Sequence, residues 1–160
     1  MGKSGYKWLT VAIRLCYNMM VFFGQHRHQI DAKNRFRIPS KYRGKFGDTI
    51  YLMLSTNCIY VLDDIGLEKR LATLSEVDIV DDSNLIELKS KIGSNTFDVA
   101  DDGQGRFVLP DKLIKGAKIN KNIVSVGAIN WLEIWAEEQW EEFDKSRELK
   151  TMLAEATVKQ

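Results

Sequence analysis

Two short segments of the chain alternate polar and apolar residues in the same order, and each segment ends in proline. They read Arg-Phe-Arg-Ile-Pro at residues 35–39 and Arg-Phe-Val-Leu-Pro at residues 106–110. An alternation with a period of two predicts a β-strand whose apolar side chains share one buried face. The predicted core positions are Phe36, Ile38, Phe107 and Leu109. The opposite, outward face then carries Arg35, Arg37 and Arg106.

The residues around these segments predict the same series of elements twice. In the first half, strands are predicted over 21–30, 35–38, 50–54 and 58–62. In the second half, they are predicted over 96–100, 106–109, 123–126 and 131–135. A short helix is expected to begin at Pro39, carry Tyr42 and Phe46, and end at Gly47-Asp48. Its counterpart covers 110–117, and each proline would take the first helical position, where a missing N–H costs nothing.

Helical spacing of apolar residues predicts three further helices. Two join the halves: one carries Leu67, Leu71 and Leu74, and the next carries Leu85, Leu88 and Ile92 before Gly93. A final acidic helix carries Trp140 and Phe143. Each half is therefore expected to be β-β-α-β-β followed by a helix. Because a half is too small to bury a good core alone, the two should share one barrel-like core.

The similarity between the halves extends beyond the strands. Residues 31–41 and 102–112 match at Asp, Arg, Phe, an aliphatic residue, Pro and Lys, at an offset of 71 residues. An internal repeat indicates two copies of one supersecondary unit. The chain thus presents an Asp-x-x-x-Arg element twice, which suits the recognition of a repeated or pseudo-symmetric partner better than a single catalytic pocket.

The net charge of +1 conceals an uneven distribution along the 160 residues. Between residues 26 and 45 a basic block has Asp31 as its only acid and contains Arg27, Lys33, Arg35, Arg37, Lys41, Arg43 and Lys45. Residues 133–148 contain seven acids against two basic residues. The basic block indicates a polyanionic partner, and the alternative is a solvated surface on which the two blocks offset each other.

Two interpretations of the Asp-x-x-x-Arg elements follow from chemistry. Asp31 and Asp102 can form salt bridges with Arg35 and Arg106 that stabilise each turn. Alternatively, the arginines contact nucleic acid, since a guanidinium recognises guanine or phosphate through two hydrogen bonds. The two interpretations are compatible, because an aspartate can hold an arginine in the rotamer that it presents.

No residue pattern predicts catalysis, a metal site or a cofactor. His26 and His28 share a strand face, but no third ligand is placed by spacing, and partly buried histidines are the simpler interpretation. Cys16 and Cys58 are isolated, which is typical of a reduced cytosolic protein. Trp131 and Trp135 are expected in the core or an interface.

The apolar run at 8–23 is interrupted by Arg14 and Asn18, so no membrane span is predicted. Residues 1–19 lack a counterpart in the repeat and are either a native tail or the result of an over-extended start-codon choice.

The stretch from Phe23 to Arg43 closely resembles the opening of the MraZ family of transcriptional regulators. The second element, with Gly105 and Pro110, and the ending Leu132-Glu-Ile-Trp135 resemble the same family, so that the likeness covers roughly residues 21–145. It implies an α+β fold, mainly β with short helices: a SpoVT/AbrB-like swapped-hairpin barrel built from two internal β-β-α-β-β repeats. The implied organisation is an N-terminal extension at 1–20, a first repeat with linking helices at 21–92, a second repeat at 93–145 and a C-terminal tail at 146–160.

The resemblance also implies a function. Such proteins are ring-shaped homo-oligomers in the cytoplasm that associate with the nucleoid and repress their own division and cell-wall gene cluster by binding tandem promoter boxes. The implied DNA-facing residues are Lys33, Arg35 and Arg106, and the strand face shared with Arg35 adds Arg37. No enzyme activity, cofactor or small-molecule substrate is expected. The alternative is an AbrB-type antitoxin or interaction module whose main partner is a protein.

Two positions depart from the family pattern. Asn34 stands where the family commonly has glycine, and asparagine tolerates the left-handed conformation, so the first turn should persist. Asp101 stands where an aliphatic residue is usual, so the second turn is expected to be looser or differently paired.

Overall fold

The computed structural model describes residues 21–75 and 83–157, which form eight strands and six helices. The strands are β1 (Gln25–Gln29), β2 (Arg35–Arg37), β3 (Thr49–Leu54), β4 (Ile59–Leu62), β5 (Thr96–Ala100), β6 (Arg106–Val108), β7 (Asn122–Gly127) and β8 (Leu132–Ala136). The helices are α1 (Ser40–Arg43), α2 (Asp64–Ser75), α3 (Ser83–Gly93), α4 (Asp111–Gly116), α5 (Glu137–Ser146) and α6 (Leu149–Thr157). The architecture is α+β, strand-dominated with short helices, as expected from the sequence, and its sheets are antiparallel.

The main sheet is built from strands of both halves. Its order is β1-β7-β8-β4-β3-β5, and all its pairings are antiparallel. The counterparts in the two halves are β1 and β5, β3 and β7, and β4 and β8. Exchanging each strand for its counterpart reverses the order of the sheet, so the sheet has an approximate two-fold symmetry. β1 of the first half pairs with β7 of the second, and β5 of the second half pairs with β3 of the first. Each half therefore completes the sheet of the other.

A separate two-stranded ribbon, β2–β6, joins the Asp-x-x-x-Arg segments directly. Phe36 lies opposite Phe107, and Arg37 lies opposite Arg106. The two phenyl rings pack with their centroids 5.9 Å apart, and both side chains are buried. Because successive side chains on a strand alternate between faces, the other side of the ribbon carries Arg35, Arg37, Arg106 and Val108. The sequence-based assignment of Phe36, Ile38, Phe107 and Leu109 to the core is confirmed.

One cluster of buried apolar side chains connects the two halves. It includes the ribbon phenylalanines and, from the main sheet, Ile50, Leu52, Ile59, Val61, Ile123, Leu132 and Ile134. Leu113 of α4 is buried in the same cluster, as is Tyr42 of α1. The short helices that follow Pro39 and Pro110 thus close the core on the side of the ribbon.

The acidic helix α5 covers the outer face of the sheet. Trp140 and Phe143 pack on Trp135, with ring centroids 5.4 and 5.1 Å from it. Arg27 of β1 donates to Glu137 at 2.6 Å and to Glu141 at 3.2 Å. Part of the acidic block is therefore neutralised within the same chain, by the basic residue that begins the basic block.

The structure corrects several predicted boundaries. The strand predicted over 21–30 is β1 alone, because Gly24 takes a positive φ of 84° and Phe22 forms only an isolated bridge with Ile129. Helix α1 ends at Arg43, so Phe46 lies beyond it and packs against the core from the following turn. Pro39 and Pro110 precede their helices as N-caps in extended conformation rather than taking the first helical position.

The structure also bears on the predictions for the C-terminal tail, the tryptophans and the cysteines. Helix α6 lies within the predicted C-terminal tail, where no helix was expected. Trp135 is buried, whereas Trp131 is half-buried against Tyr60. Cys58 is buried, and burial raises the pKa of its thiol. The interpretations of residues 1–20, of Cys16 and of the Leu74 side chain lie outside the described residues.

The two histidines of β1 differ in their environments. His28 is half-buried, and its Nε2 lies 2.7 Å from Oγ of Ser125, a fully buried hydroxyl. His26 is exposed, so the expectation of partial burial holds for His28 only. Burial, together with the nearby His26, lowers the pKa of His28 from 6.5 to about 4. His28 is therefore neutral at pH 7.

We expect the substitution Phe36→Ala to reduce the free energy of unfolding by about 3–5 kcal/mol, because it empties the centre of the shared core. Val108→Ala is the matched control on the exposed side of the same ribbon and should cost less than about 0.5 kcal/mol. Chemical denaturation measures both values. Similar losses for the two variants would contradict the assignment of ribbon faces.

The neutral state of His28 makes stability depend on pH in a defined window. As the pH falls from 6.5 to about 4, the unfolded chain takes up a proton that the folded chain does not, so the free energy of unfolding decreases. His28→Gln can keep the hydrogen bond to Ser125 without titrating, and we expect it to remove this component. Denaturation curves at several pH values test this; an unchanged pH slope in the variant would rule it out.

Candidate nucleic-acid interface

The first Asp-x-x-x-Arg turn is organised by one carboxylate. Oδ1 of Asp31 accepts hydrogen bonds from the backbone N–H groups of Lys33 and Arg35, both at 2.9 Å. Oδ2 accepts from Nε of Arg35 at 2.7 Å. One side chain therefore fixes both the backbone of the turn and the direction of the arginine that follows it.

The second turn repeats this arrangement. Oδ1 of Asp102 accepts from the backbone of Gln104 and Arg106, and Oδ2 accepts from Nε of Arg106 at 2.6 Å. The second turn is not looser, as one alternative expected, but it is differently paired: the N–H of Gly105 donates to Oδ1 of Asp101, whereas that of Asn34 donates to the backbone carbonyl of Asp31. Asp101 accepts from the backbone N–H groups of Gly103 and Gly105 at 2.5 and 3.0 Å, so its carboxylate adds hydrogen bonds to the turn.

Both clamping carboxylates have a lowered pKa. For Asp31 the main cause is the hydrogen bond from the Arg35 backbone, and the Arg35 guanidinium adds to it. For Asp102, desolvation raises the pKa, but the hydrogen bonds from Gln104 and Arg106 outweigh it. The aspartates are thus ionised at neutral pH and compensate the charges of Arg35 and Arg106.

The clamped arginines remain partly accessible and lie near each other. The exposed fraction of the side chain is 21% for Arg35 and 25% for Arg106. NH1 of Arg35 lies 3.6 Å from Oδ2 of Asp102, so the two clamps are linked across the ribbon. The salt-bridge interpretation is therefore confirmed, and because each aspartate takes the Nε hydrogen, the terminal nitrogens of Arg106 are left to other partners.

The residues of the basic block differ in whether their side chains bind a carboxylate, a backbone carbonyl or neither. Arg27 is paired with α5, and Lys41 and Lys45 donate to the backbone carbonyls of Phe23 and Val21. Lys33, Arg37 and Arg43 are exposed, and none of them forms an ion pair with a carboxylate in residues 21–75 or 83–157. Because the carbonyl partners of Lys41 and Lys45 are neutral, these two lysines share the uncompensated positive charge of the block with the three exposed side chains.

Four arginines and two histidines line one groove of about 420 Å³ beside the ribbon. Its basic lining residues are His26, His28, Arg35, Arg37, Arg43 and Arg106. Of the residues predicted to contact DNA, Arg35, Arg37 and Arg106 meet here, whereas Lys33 lies outside the lining, at the first turn. Arg43 was noticed in the sequence only as part of the basic block; its position in the groove depends on the packing of α1 against the ribbon.

Asn34 explains how the first turn accommodates the missing glycine. Its φ is 57°, and Gly105 at the equivalent position has a φ of 72°. The side-chain amide of Asn34 donates to Oδ1 of Asp111 at 3.0 Å, and the backbone carbonyl of Asn34 accepts from the backbone N–H of Leu109. The substitution keeps the left-handed turn and adds a bond to the start of α4.

Comparison with known proteins identifies the family of the chain. A family model whose description begins "MraZ protein" and includes "antitoxin-like" matches residues 92–160. The transcriptional regulator MraZ of Clostridium tetani is 36% identical over 128 residues, which are 78% of this chain and 87% of that protein. The chain belongs to the MraZ family. MraZ of Clostridium acetobutylicum is 36% identical over 131 residues, covering 79% and 89% of the two chains. MraZ of Mycoplasma mobile is 35% identical over 130 residues, covering 74% and 82%.

Two further observations concern other classes of site in this MraZ-family chain. Within residues 21–75 and 83–157, no three His, Cys, Asp or Glu side chains form a group that could hold a metal ion. Among the described helices, none has the length and apolar character that crossing a membrane requires.

The role of Asn34 can be tested by two substitutions. Asn34→Gly keeps the positive φ and loses only the bond to Asp111, so we expect little change in the free energy of unfolding. Asn34→Ala also strains the backbone and should cost about 1–2 kcal/mol more. Thermal and chemical denaturation of the pair measure the difference; equal stabilities would show that the turn does not require this conformation.

Proposed function

We propose that this chain is a sequence-specific DNA-binding transcriptional regulator that reads duplex DNA with the outer face of the β2–β6 ribbon. The observation that carries the proposal is the composition of that face. Burial of Phe36 and Phe107 directs Arg35, Arg37 and Arg106 outward, and Arg43 lies in the adjoining groove. The names of the curated relatives, all transcriptional regulators, support the same function.

The geometry of a two-stranded ribbon suits the major groove of B-form DNA, which is about 12 Å wide and admits either an α-helix or such a ribbon. Each base pair presents a distinct set of hydrogen-bonding groups there, and arginine can contact O6 and N7 of guanine together. The ribbon would bring three arginines to one surface without requiring a helix to enter the DNA.

The charged residues fall into two roles in this proposal. Lys33, Arg37 and Arg43 have no carboxylate partner among the described residues, so they supply attraction to phosphates. Arg35 and Arg106 are held through Nε by Asp31 and Asp102, so they present their terminal nitrogens in a defined direction. A side chain that is already fixed loses less entropy on binding, which favours base recognition by the clamped pair.

The proposal extends to fold and assembly. We infer that the exchange of strands between halves is the swapped-hairpin barrel of SpoVT/AbrB-like proteins, with repeats at 21–92 and 93–145 flanked by the extension and the tail. A ring-shaped homo-oligomer would display many ribbons at once. Tandem promoter boxes would then gain affinity through the raised effective concentration of neighbouring ribbons.

Repression would follow if the bound ring covers the promoter of the chain's own division and cell-wall gene cluster. The protein would work in the cytoplasm, associated with the nucleoid. Footprinting on the upstream region of its own gene tests this placement directly: protection of regularly spaced boxes is expected, and uniform protection of the whole fragment would contradict sequence-specific binding.

A second candidate has one observation in its favour. The description of the matching family model includes "antitoxin-like", which fits a module whose main partner is a protein. In that case, mutation of the ribbon arginines should leave the partner bound, and the purified protein should show no preference for its own promoter.

The clamped arginines provide the main test. We expect Arg35→Ala with Arg106→Ala to keep the fold and to lose about 1–3 kcal/mol of base discrimination for each arginine. Gel-shift titrations with a promoter duplex and with a scrambled duplex measure the discrimination. Lys89→Ala, on exposed helix α3, is the matched charge control and should bind normally. Normal box-specific binding by the double variant would exclude the mechanism.

A further inference from the structure

The two Asp-x-x-x-Arg turns are equivalent in structure, but their surroundings are not. The repeat retains Asp31 and Arg35 of the groove defined above as Asp102 and Arg106; the other polar first-half residues of that groove are His26, His28, Gln29, Arg37, Ser40 and Arg43. The repeat places apolar or acidic residues at the second-half positions equivalent to these six, in the same order: Phe97, Val99, Ala100, Val108, Asp111 and Ile114. Only one of the two related surfaces is therefore cationic.

The sheet register supports this equivalence at the level of contacts. His26 lies opposite Ser125 across β1–β7, and Phe97 lies opposite Leu52 across β5–β3. One side of the molecule thus has an imidazole beside a buried hydroxyl, whereas the related side has a phenyl ring beside a buried leucine. The two halves therefore differ at both members of a cross-strand pair, one of which is buried, and not at single surface positions only.

The unpaired arginines of the first half both reach across to the second turn. NH1 of Arg37 donates to the carbonyl of Gln104 at 2.9 Å. The Arg43 side chain passes over Gly105, where an added Cβ would lie 3.7–3.9 Å from its Nε, Cδ and Cζ atoms. These are ordinary van der Waals distances, so the Arg43 guanidinium packs directly on the backbone of the second turn. The second turn, whose own carboxylates Asp101 and Asp102 are bonded to its backbone, is consequently surrounded by Arg37, Arg43 and Arg106.

The first turn has no such addition from the second half. Val108 faces outward beside Arg35, with 47% of its surface exposed, and brings no charge. Ile114 packs against the core, and the carboxylate of Asp111 is bonded to Asn34. A phosphate near the first turn would meet Lys33 and the clamped Arg35 but also this additional carboxylate.

We infer that each chain has one phosphate-gripping groove, centred on Arg37 and Arg43 over the second turn, and that the second repeat supplies no equivalent. This inference rests on the proposed function and specifies where its main phosphate contacts lie. A duplex that crosses the ribbon would then be held more tightly at one end of the ribbon than at the other. Each protomer would therefore bind a DNA box in only one of its two orientations.

The test variants exchange residues between equivalent positions of the two halves. Arg37→Val and Arg43→Ile place the second-half residues into the first-half groove, and Val108→Arg is the reciprocal change. Fluorescence anisotropy with a promoter duplex and a scrambled duplex, over a range of salt concentrations, gives affinity and salt slope. Because Arg37 and Arg43 would each contact phosphate, the double variant should bind both duplexes on the order of tenfold or more weakly, with the salt slope reduced by about 2.

The discrimination between duplexes should persist in the double variant, because the clamped pair is intact. Val108→Arg should bind both duplexes at least as tightly as the unaltered chain. Thermal melting checks the fold, and Arg43→Gln alone, which should lower the salt slope by about 1, serves if the double variant does not fold.

The outcomes separate the inference from the function on which it rests. An unaltered chain that binds neither duplex overturns both. An unaltered chain that prefers the promoter duplex, combined with double-variant affinity and salt slope that are unchanged, overturns only the single-groove inference. Loss of binding to the promoter duplex alone would also overturn it, because phosphate contacts do not depend on sequence.

Discussion

The pairing of β2 with β6 is the constraint on which the rest of the structure depends. It places Phe36 against Phe107 in the centre of a core to which both halves contribute. Since side chains alternate along a strand, the same pairing directs three arginines to the other side of the ribbon. Stability and the cationic surface are therefore two consequences of one register, and a shift by one residue would exchange the faces.

A surface so rich in arginine would repel itself without local compensation. The aspartates at the start of each turn provide that compensation and simultaneously bind the turn backbone. Among the ribbon and groove arginines, those without a carboxylate partner in the described residues belong to the first half: Arg37 at the end of β2 and Arg43 at the end of α1. The internal repeat thus conserves the geometry of the turns while the two halves differ in charge.

Sequence reasoning recovered what local periodicity and the repeat determine. The eight strands, the core phenylalanines and the outward arginines follow from alternation and from the match between halves. The partners of each residue were not accessible, because pairing between halves is a long-range choice. Thus the engagement of Arg27 by α5, the place of Arg43 over Gly105 and the bond from Asn34 to Asp111 appear only in three dimensions. Helix α6 was missed although Leu149, Met152 and Leu153 have helical spacing, because the resemblance noted in the sequence ended near residue 145, whereas the family model extends to residue 160.

The position of DNA in a structure of the complex tests the central claim most directly. The suitable sample is the full chain with a duplex from its own promoter, studied by crystallography or cryo-electron microscopy. We expect the β2–β6 ribbon to lie against the major groove, with the guanidinium groups of Arg35, Arg37 and Arg106 within hydrogen-bond distance of bases or phosphates. A duplex bound elsewhere, with the outer face of the ribbon left in solvent, would contradict it.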